Sequence, residues 1–156
     1  RVKAMALVHE KLYRSEDLSS IDLEDYIRFL GNGLFQFYDA KVRGIQLRLE
    51  IRNVEVDINL AIPLGLVINE LISNSLKYAF PEGRKGEIAL TIKKEGSDLT
   101  ALFRDDGIGI PADLDWKNTQ SLGLRLVNTL IDQMDGTIEL DRTAGTQFTL
   151  VLHEKK

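Results

Sequence analysis

Apolar side chains at Val2, Met5, Ala6, Val8 and Leu12 recur every three or four positions, a spacing that predicts a helix over residues 1–14. A short polar turn follows at 15–20. Asp22 then stands where an N-cap belongs, and Leu23, Tyr26, Ile27 and Leu30 form one stripe of a second helix. It runs on past Leu34 to residue 38 despite Gly31 and Gly33. The period then changes. Ile45, Leu47, Leu49 and Ile51 alternate with polar residues, as in a strand with one buried face. Pro63 suits the first turn of a third helix, over about 64–78, which stops before Pro81 and Gly83. Strands are predicted at 87–93 and 99–104, joined across Gly96, Ser97 and Asp98. A glycine-rich loop at 105–111 and a polar segment to 120 follow. Helical spacing returns over 122–134 and ends before Gly136, and 137–140 with 147–152 read as a closing hairpin across Gly145. Strands that are neighbours in sequence pair antiparallel. The expected fold class is therefore α/β (α+β): a two-layer sandwich, with a mixed, mainly antiparallel sheet and helices packed on one face.

Composition narrows the chemistry. A chain of 156 residues fits one domain and buries roughly 70% of its unfolded surface. It contains no cysteine, which excludes thiol catalysis and cysteine-ligated zinc and is compatible with the cytoplasm. The net charge of −4 and the lack of a basic run argue against nucleic acid as a partner. No apolar stretch is expected to approach the roughly 18 residues of a membrane span, and no signal peptide opens the chain. It starts at Arg1, inside a predicted helix and without an initiator Met, so it reads as a piece of something longer.

Three segments carry candidate chemistry. On the third helix Leu64, Val67, Ile68, Leu71 and Ser75 share one face, while Glu70, Asn74 and Lys77 lie four and three apart on another, with Tyr78 beside Asn74. That side offers a carboxylate, a neutral oxygen, a cation and a phenol. Magnesium takes oxygen ligands and keeps several waters, so Asn74 and phosphates can hold it, with Lys77 offsetting phosphate charge. The ordinary alternative is an amphipathic helix with a solvated polar face. Asn69, Glu70, Ser73, Asn74 and Ser75 are, however, poor company for a helix chosen for stability alone.

The second segment, Arg104-Asp105-Asp106-Gly107-Ile108-Gly109-Ile110-Pro111, leaves a strand and enters a loop. An ionised Asp only accepts hydrogen bonds, so at the strand end Asp105 can receive the exocyclic amino group of adenine, where guanine presents a carbonyl. Gly107 and Gly109 permit close approaches, and Asp106 reads as a loop residue. The ordinary alternative is an Asp-Gly turn. Third, Ser121 is a candidate N-cap, and Gly123 lets phosphate approach the free N–H groups of a first helical turn, with Arg125 directed at phosphate or at solvent. A capped helix with an incidental glycine is the alternative.

Taken in order, Glu-x-x-x-Asn on a helix, Asp-x-Gly-x-Gly after a strand, Leu-Gly-Leu at a helix start and Gly145-Thr146 in a late hairpin resemble one superfamily. It is the ATPase and kinase superfamily shared by gyrase B subunits, MutL-type repair proteins and histidine kinases, and the resemblance spans about 57–152. A finer likeness, carried by 8–13, 61–71 and 121–127, is to a sensor histidine kinase subgroup with atypical dimerisation helices, close to the kinases named for their His-Trp-Glu residues. The resemblance implies a Bergerat-type ATP-binding fold and the cofactors ATP and Mg2+. It implies that Glu70 acts as base or polarises the nucleophile, and that Asn74 binds the metal. It further implies that Lys77 and Tyr78 line the nucleotide, that Asp105 binds adenine and that Thr146 lies near the adenine end. Gly107, Gly109, Ile110, Leu122, Gly123 and Leu124 then shape the pocket and a short lid over 110–120. Ser121 and Arg125 depart from the glycines usual in commoner kinases.

By the same resemblance, residues 1–20 belong to a dimerisation helix pair and 21–156 to the catalytic domain. The γ-phosphoryl group passes to a histidine upstream of Arg1, not to His9 or His153. The implied partners are the upstream phosphoacceptor helices, a response regulator and a second copy in a full-length homodimer, with localisation in the cytoplasm even where the full-length protein is membrane-associated. Weighed against this are an anti-sigma-factor-type serine kinase, a non-enzymatic nucleotide-binding or dimerisation module, and a hydrolytic ATPase.

Overall fold

The computed structural model describes residues 20–111, 113–116 and 122–154. The helix predicted over 1–14, with His9, lies outside them. The described chain opens with a two-residue strand, β1 (Ile21–Asp22), followed by α1 (Leu23–Phe37). Asp22 caps α1 as expected, its carboxylate accepting from the Asp25 amide at 3.2 Å. Leu23, Tyr26, Ile27, Leu30 and Leu34 form its buried stripe. Then come β2 (Ile45–Ile51), β3 (Glu55–Val56), α2 (Ile58–Asn74) and a π-helical turn (Ser75–Ala79). The chain continues through β4 (Gly86–Glu95), β5 (Asp98–Asp105), α3 (Leu122–Gln133), β6 (Thr137–Asp141) and β7 (Thr146–His153).

The main sheet has five strands in the order β2-β4-β5-β7-β6, and only the β2–β4 pair is parallel. Helix α2 lies centrally in the second layer, against α1 on one side and α3 on the other. Alternation decides which face the helices cover. Ile88, Leu90 and Ile92 of β4, Leu99, Ala101 and Phe103 of β5, and Phe148, Leu150 and Leu152 of β7 are buried. Val67, Ile68, Leu71 and Ile72 from α2 and Val127 and Ile131 from α3 meet them in one core. The architecture is the two-layer sandwich the pattern implies.

Three expectations need correction. Helix α2 does not open at Pro63. Asp57 accepts from the Asn59 amide at 2.7 Å and starts the helix at Ile58, leaving Pro63 inside it. The cap, which satisfies a free N–H, outcompetes proline's preference for the first turn, at the cost of one bond to the Asn59 carbonyl. The paired short strands β1 and β3 have no counterpart in the pattern, because two residues are too few to show a period. Finally, α2 and the π turn together make a 22-residue helical run, 58–79, with mean hydropathy 1.2, long and apolar enough by composition to cross a membrane. Its apolar character has a local cause: 67% of an 18-residue stretch of it is buried, as a central core helix requires.

Candidate functional site

The alternation that builds the core continues to the end of the sheet, where the inward positions turn polar. Asp105 follows Leu99, Ala101 and Phe103 on the covered face of β5, and its cross-strand partner on β7 is Thr146. Both are buried, Asp105 to 2% exposure. A carboxylate taken from water needs donors. The Ser75 hydroxyl donates to Asp105 Oδ2 at 2.6 Å, and the Gly107 amide donates to Oδ1 at 3.0 Å. Burial pushes the Asp105 carboxyl above its usual range. The Ser75 hydroxyl and then the Gly107 amide pull it back, neighbouring Asp106 raises it again, and hydrogen bonding with the Thr146 backbone lowers it.

The loop after β5 is fastened to the end of the π turn. Ile108 donates its amide to the Ala79 carbonyl at 2.9 Å. Gly107 lies so close to Ala79 that a Cβ would overlap that residue's backbone and methyl group. Asp106, read from sequence as a plain loop residue, accepts from the Glu87 amide at 2.8 Å, and its carbonyl accepts from Arg84 at 3.1 Å. Arg142 donates to the Pro111 carbonyl and ties the far end of the loop to the β6–β7 hairpin. Gly109 adopts φ +82°, with its Cα facing the Gly145 carbonyl. Substituting Gly107→Ala is expected to cost about 1–3 kcal/mol, because the overlap is with backbone that has nowhere to move. Urea unfolding against wild type measures it, and an unchanged midpoint would contradict the packing described.

One helical turn away, a second polar group is assembled. Glu70 is 3% exposed and Asn74 half-buried, and the start of α3 rests on both. A Cβ on Gly123 would stand 2.8 Å from Glu70 Oε2 and 3.5 Å from Asn74 Oδ1. The positive end of the α3 dipole thus faces the carboxylate. The side of α2 that carries Glu70 is not a fully solvated face: Asn69, Glu70 and Ser73 are buried and Asn74 is half-buried. Ser73 Oγ is hydrogen-bonded to Tyr38 Oη at 3.0 Å.

A family model described as "Histidine kinase-, DNA gyrase B-, and HSP90-like ATPase" matches residues 59–156. The chain belongs to that family. A second model, described as "Histidine kinase", matches residues 1–38. This ATPase domain is 33% identical over 108 residues to blue-light-activated histidine kinase 2 of Erythrobacter litoralis, a match covering 69% of this chain and 31% of the relative. It is 28% identical over 158 residues to the sensor histidine kinase PdtaS of Mycobacterium tuberculosis, covering 96% of the chain and 30% of the relative. The chain therefore spans under a third of the length of these curated relatives. In structure it is similar to the histidine kinase domain of Erythrobacter litoralis EL346, with a TM-score of 0.84 at 24% identity, covering 97% of this chain and 76% of that one. It is a histidine kinase ATPase domain, homologous to sensor histidine kinases.

Within this ATPase domain the expected site residues divide. Asp105, Gly107 and Thr146 meet at the sheet end, and Glu70, Asn74 and Gly123 meet at the start of α3. The step from Asn74 to Ser75 joins the two groups. Lys77 and Tyr78 project outward, Tyr78 being 68% exposed. Ile110 packs partly buried against the core, Leu124 is buried within it, and Arg125 points to solvent. Leu122 opens α3, but its side chain, Ser121 and, of the expected lid, residues 112 and 117–120 lie outside the described residues.

His153 pairs with Asp98 at 2.6 Å. Asp98 is the opposite end of β5 from Asp105, roughly 24 Å along the strand. Ser75 was not among the expected site residues. Its signal was a hydroxyl on the apolar face of the predicted third helix, directly after Asn74.

Proposed function

We propose that this domain binds ATP with Mg2+ and passes the γ-phosphoryl group to a histidine on a dimerisation helix pair, from which a response regulator is phosphorylated. The reading rests above all on the buried Asp105 carboxylate, held by Ser75 and Gly107 at the end of the sheet. A buried acceptor-only group of this kind suits the amino group of adenine and repels the carbonyl of guanine. Asn74 fits a magnesium ion that takes its other ligands from phosphates and water: it offers one neutral oxygen, close to the Glu70 carboxylate and the first turn of α3. When bound, the ion spreads and offsets phosphate charge. The chain's own contributions are Lys77, whose exposed stem can swing over the phosphates, Tyr78 beside it, and the backbone of α3 from Leu122 through Leu124. Gly109 and Ile110 lead from the adenine end into the lid. Glu70 orients or deprotonates the imidazole that attacks. For that the start of α3 must shift, since the carboxylate now lies beneath Gly123.

Residues 1–20 are assigned to the helix pair and 21–156 to the catalytic domain. The partners are the phosphoacceptor helices, the response regulator and, in the full-length protein, a second copy. The acceptor is neither His9 nor His153, so this chain alone takes no label from ATP radiolabelled at the γ-phosphate. An acid-labile, base-stable label on it would show otherwise.

Calorimetry tests the nucleotide site. Wild type is expected to bind ATP, to bind it more tightly with Mg2+ than with a chelator, and to ignore GTP. Asn74→Ala is expected to lose at least about tenfold in Mg-ATP affinity and to bind equally with and without the metal. An undiminished magnesium effect in that variant would remove Asn74 as the ligand.

A further inference from the structure

We propose that Ser75 is a positioning residue that aims the Asp105 carboxylate at the base and thereby sets the preference for a 6-amino purine. The inference rests on the reading of Asp105 as the group that receives the adenine amino group.

The terminal torsion of an aspartate is broad and roughly two-fold, so a carboxylate on a strand end has no single orientation of its own. Here donors from different elements hold it, beside hydrogen bonding with the Thr146 backbone. Ser75, on the π turn, donates to Oδ2, and Gly107, on the loop, donates to Oδ1. One donor fixes an oxygen and leaves the group free to pivot about that contact, whereas two fix the plane. A carboxylate has about four acceptor sites, so these bonds leave lone pairs free for a ligand, in a direction set by the plane. At 2.6 Å the Ser75 contact is the shorter, as expected for a hydroxyl donating to a charged oxygen.

The local structure favours a dedicated role for the hydroxyl. Serine is a mediocre helix residue, and burying its hydroxyl is unfavourable unless it is bonded. Ser75 is 5% exposed and opens the π turn, in which each amide reaches five residues back. The turn brings the Ser75 side chain to Asp105 while the Ala79 carbonyl receives the loop through Ile108. Alanine would satisfy helix propensity better and would lose only this contact. The buried Ser73 is bonded to Tyr38 instead, so the contact with Asp105 falls to Ser75.

The test compares ATP with the triphosphate of purine riboside, which carries hydrogen in place of the 6-amino group. Calorimetry is run in Mg2+ on the whole chain. Wild type is expected to prefer ATP. In Ser75→Ala, ATP affinity is expected to fall about tenfold while that of the deaminated analogue stays within about threefold, so the preference collapses. Ser75→Thr keeps the hydroxyl and is expected to recover most of it. Should Ser75→Ala fail to fold, Ser75→Cys, a weak donor of similar size, is expected to show the same collapse. An equal loss for both nucleotides, or no loss for either, would overturn the inference and leave Ser75 a packing residue. If wild type itself binds both nucleotides alike, it is the reading of Asp105 that fails.

Discussion

Asp105→Asn is expected to weaken ATP binding by about 10- to 100-fold while leaving the protein no less stable at neutral pH. The two halves of this result have different causes. The affinity falls because an ionised acceptor is replaced by a neutral amide that presents a donor on one side. Stability does not fall, because the buried charge is removed while its hydrogen bonds can be kept: the amide oxygen still accepts from Gly107, and the Ser75 hydroxyl can rotate to accept from the amide nitrogen. The sign with pH follows from the raised carboxyl pKa, caused first by burial. The folded state holds the Asp105 proton more tightly than the unfolded chain does. That contribution to stability is complete below the unfolded value of about 4 and is lost as pH rises through the folded value. The melting temperature of Asp105→Asn relative to wild type should therefore climb as pH is raised from about 4 to neutrality. Thermal melts across that range, beside ATP titrations, measure both. A variant that melts lower than wild type at pH 7 would mean that the carboxylate supports the fold rather than the ligand.

Glu70→Gln is expected to slow phosphoryl transfer by about 100- to 10,000-fold, with ATP affinity within about threefold of wild type. The measurement belongs on the longer protein that carries the acceptor helix, with single-turnover transfer and nucleotide binding followed separately. Gln retains the size and hydrogen-bonding reach of Glu inside a group packed against Asn74 and Gly123, so the α2–α3 contact should survive. What is lost is the negative charge that, in the proposed function, draws a proton from, or orients, an imidazole. A fall in ATP affinity that matched the fall in rate would show that Glu70 holds the nucleotide site together and takes no part in transfer.

Much of this domain is legible in its sequence, because two short-range periods decide it. Alternation along β5 places Asp105 on the same face as Leu99, Ala101 and Phe103, so a carboxylate at the covered end of a strand follows from counting by twos. The four-residue spacing of Glu70 and Asn74 places them along one side of α2, and the Asp22 cap marks where α1 begins. Other features come only from tertiary structure. Asp57 and Pro63 are both signals for a helix start, and the chain alone does not rank them. The bond to the Asn59 amide does, and Glu154 of the distant β7 end supports the choice by accepting from the Asp57 amide at 2.8 Å.

The burial of Glu70 depends on α3, more than fifty positions later, laying Gly123 against it. Lys77 and Tyr78 share a stretch with Asn74 yet end outside the core, because the π turn departs from the i+4 geometry on which the spacing argument relies. Ser75 joins the site for the same reason: contact with Asp105 requires strand, loop and turn to meet. Periodicity along the chain determined which faces are buried and which polar residues interrupt them. Contacts between segments far apart in sequence decided which of those residues touch, since hydrogen bonds and close approaches depend on distances that no local repeat encodes.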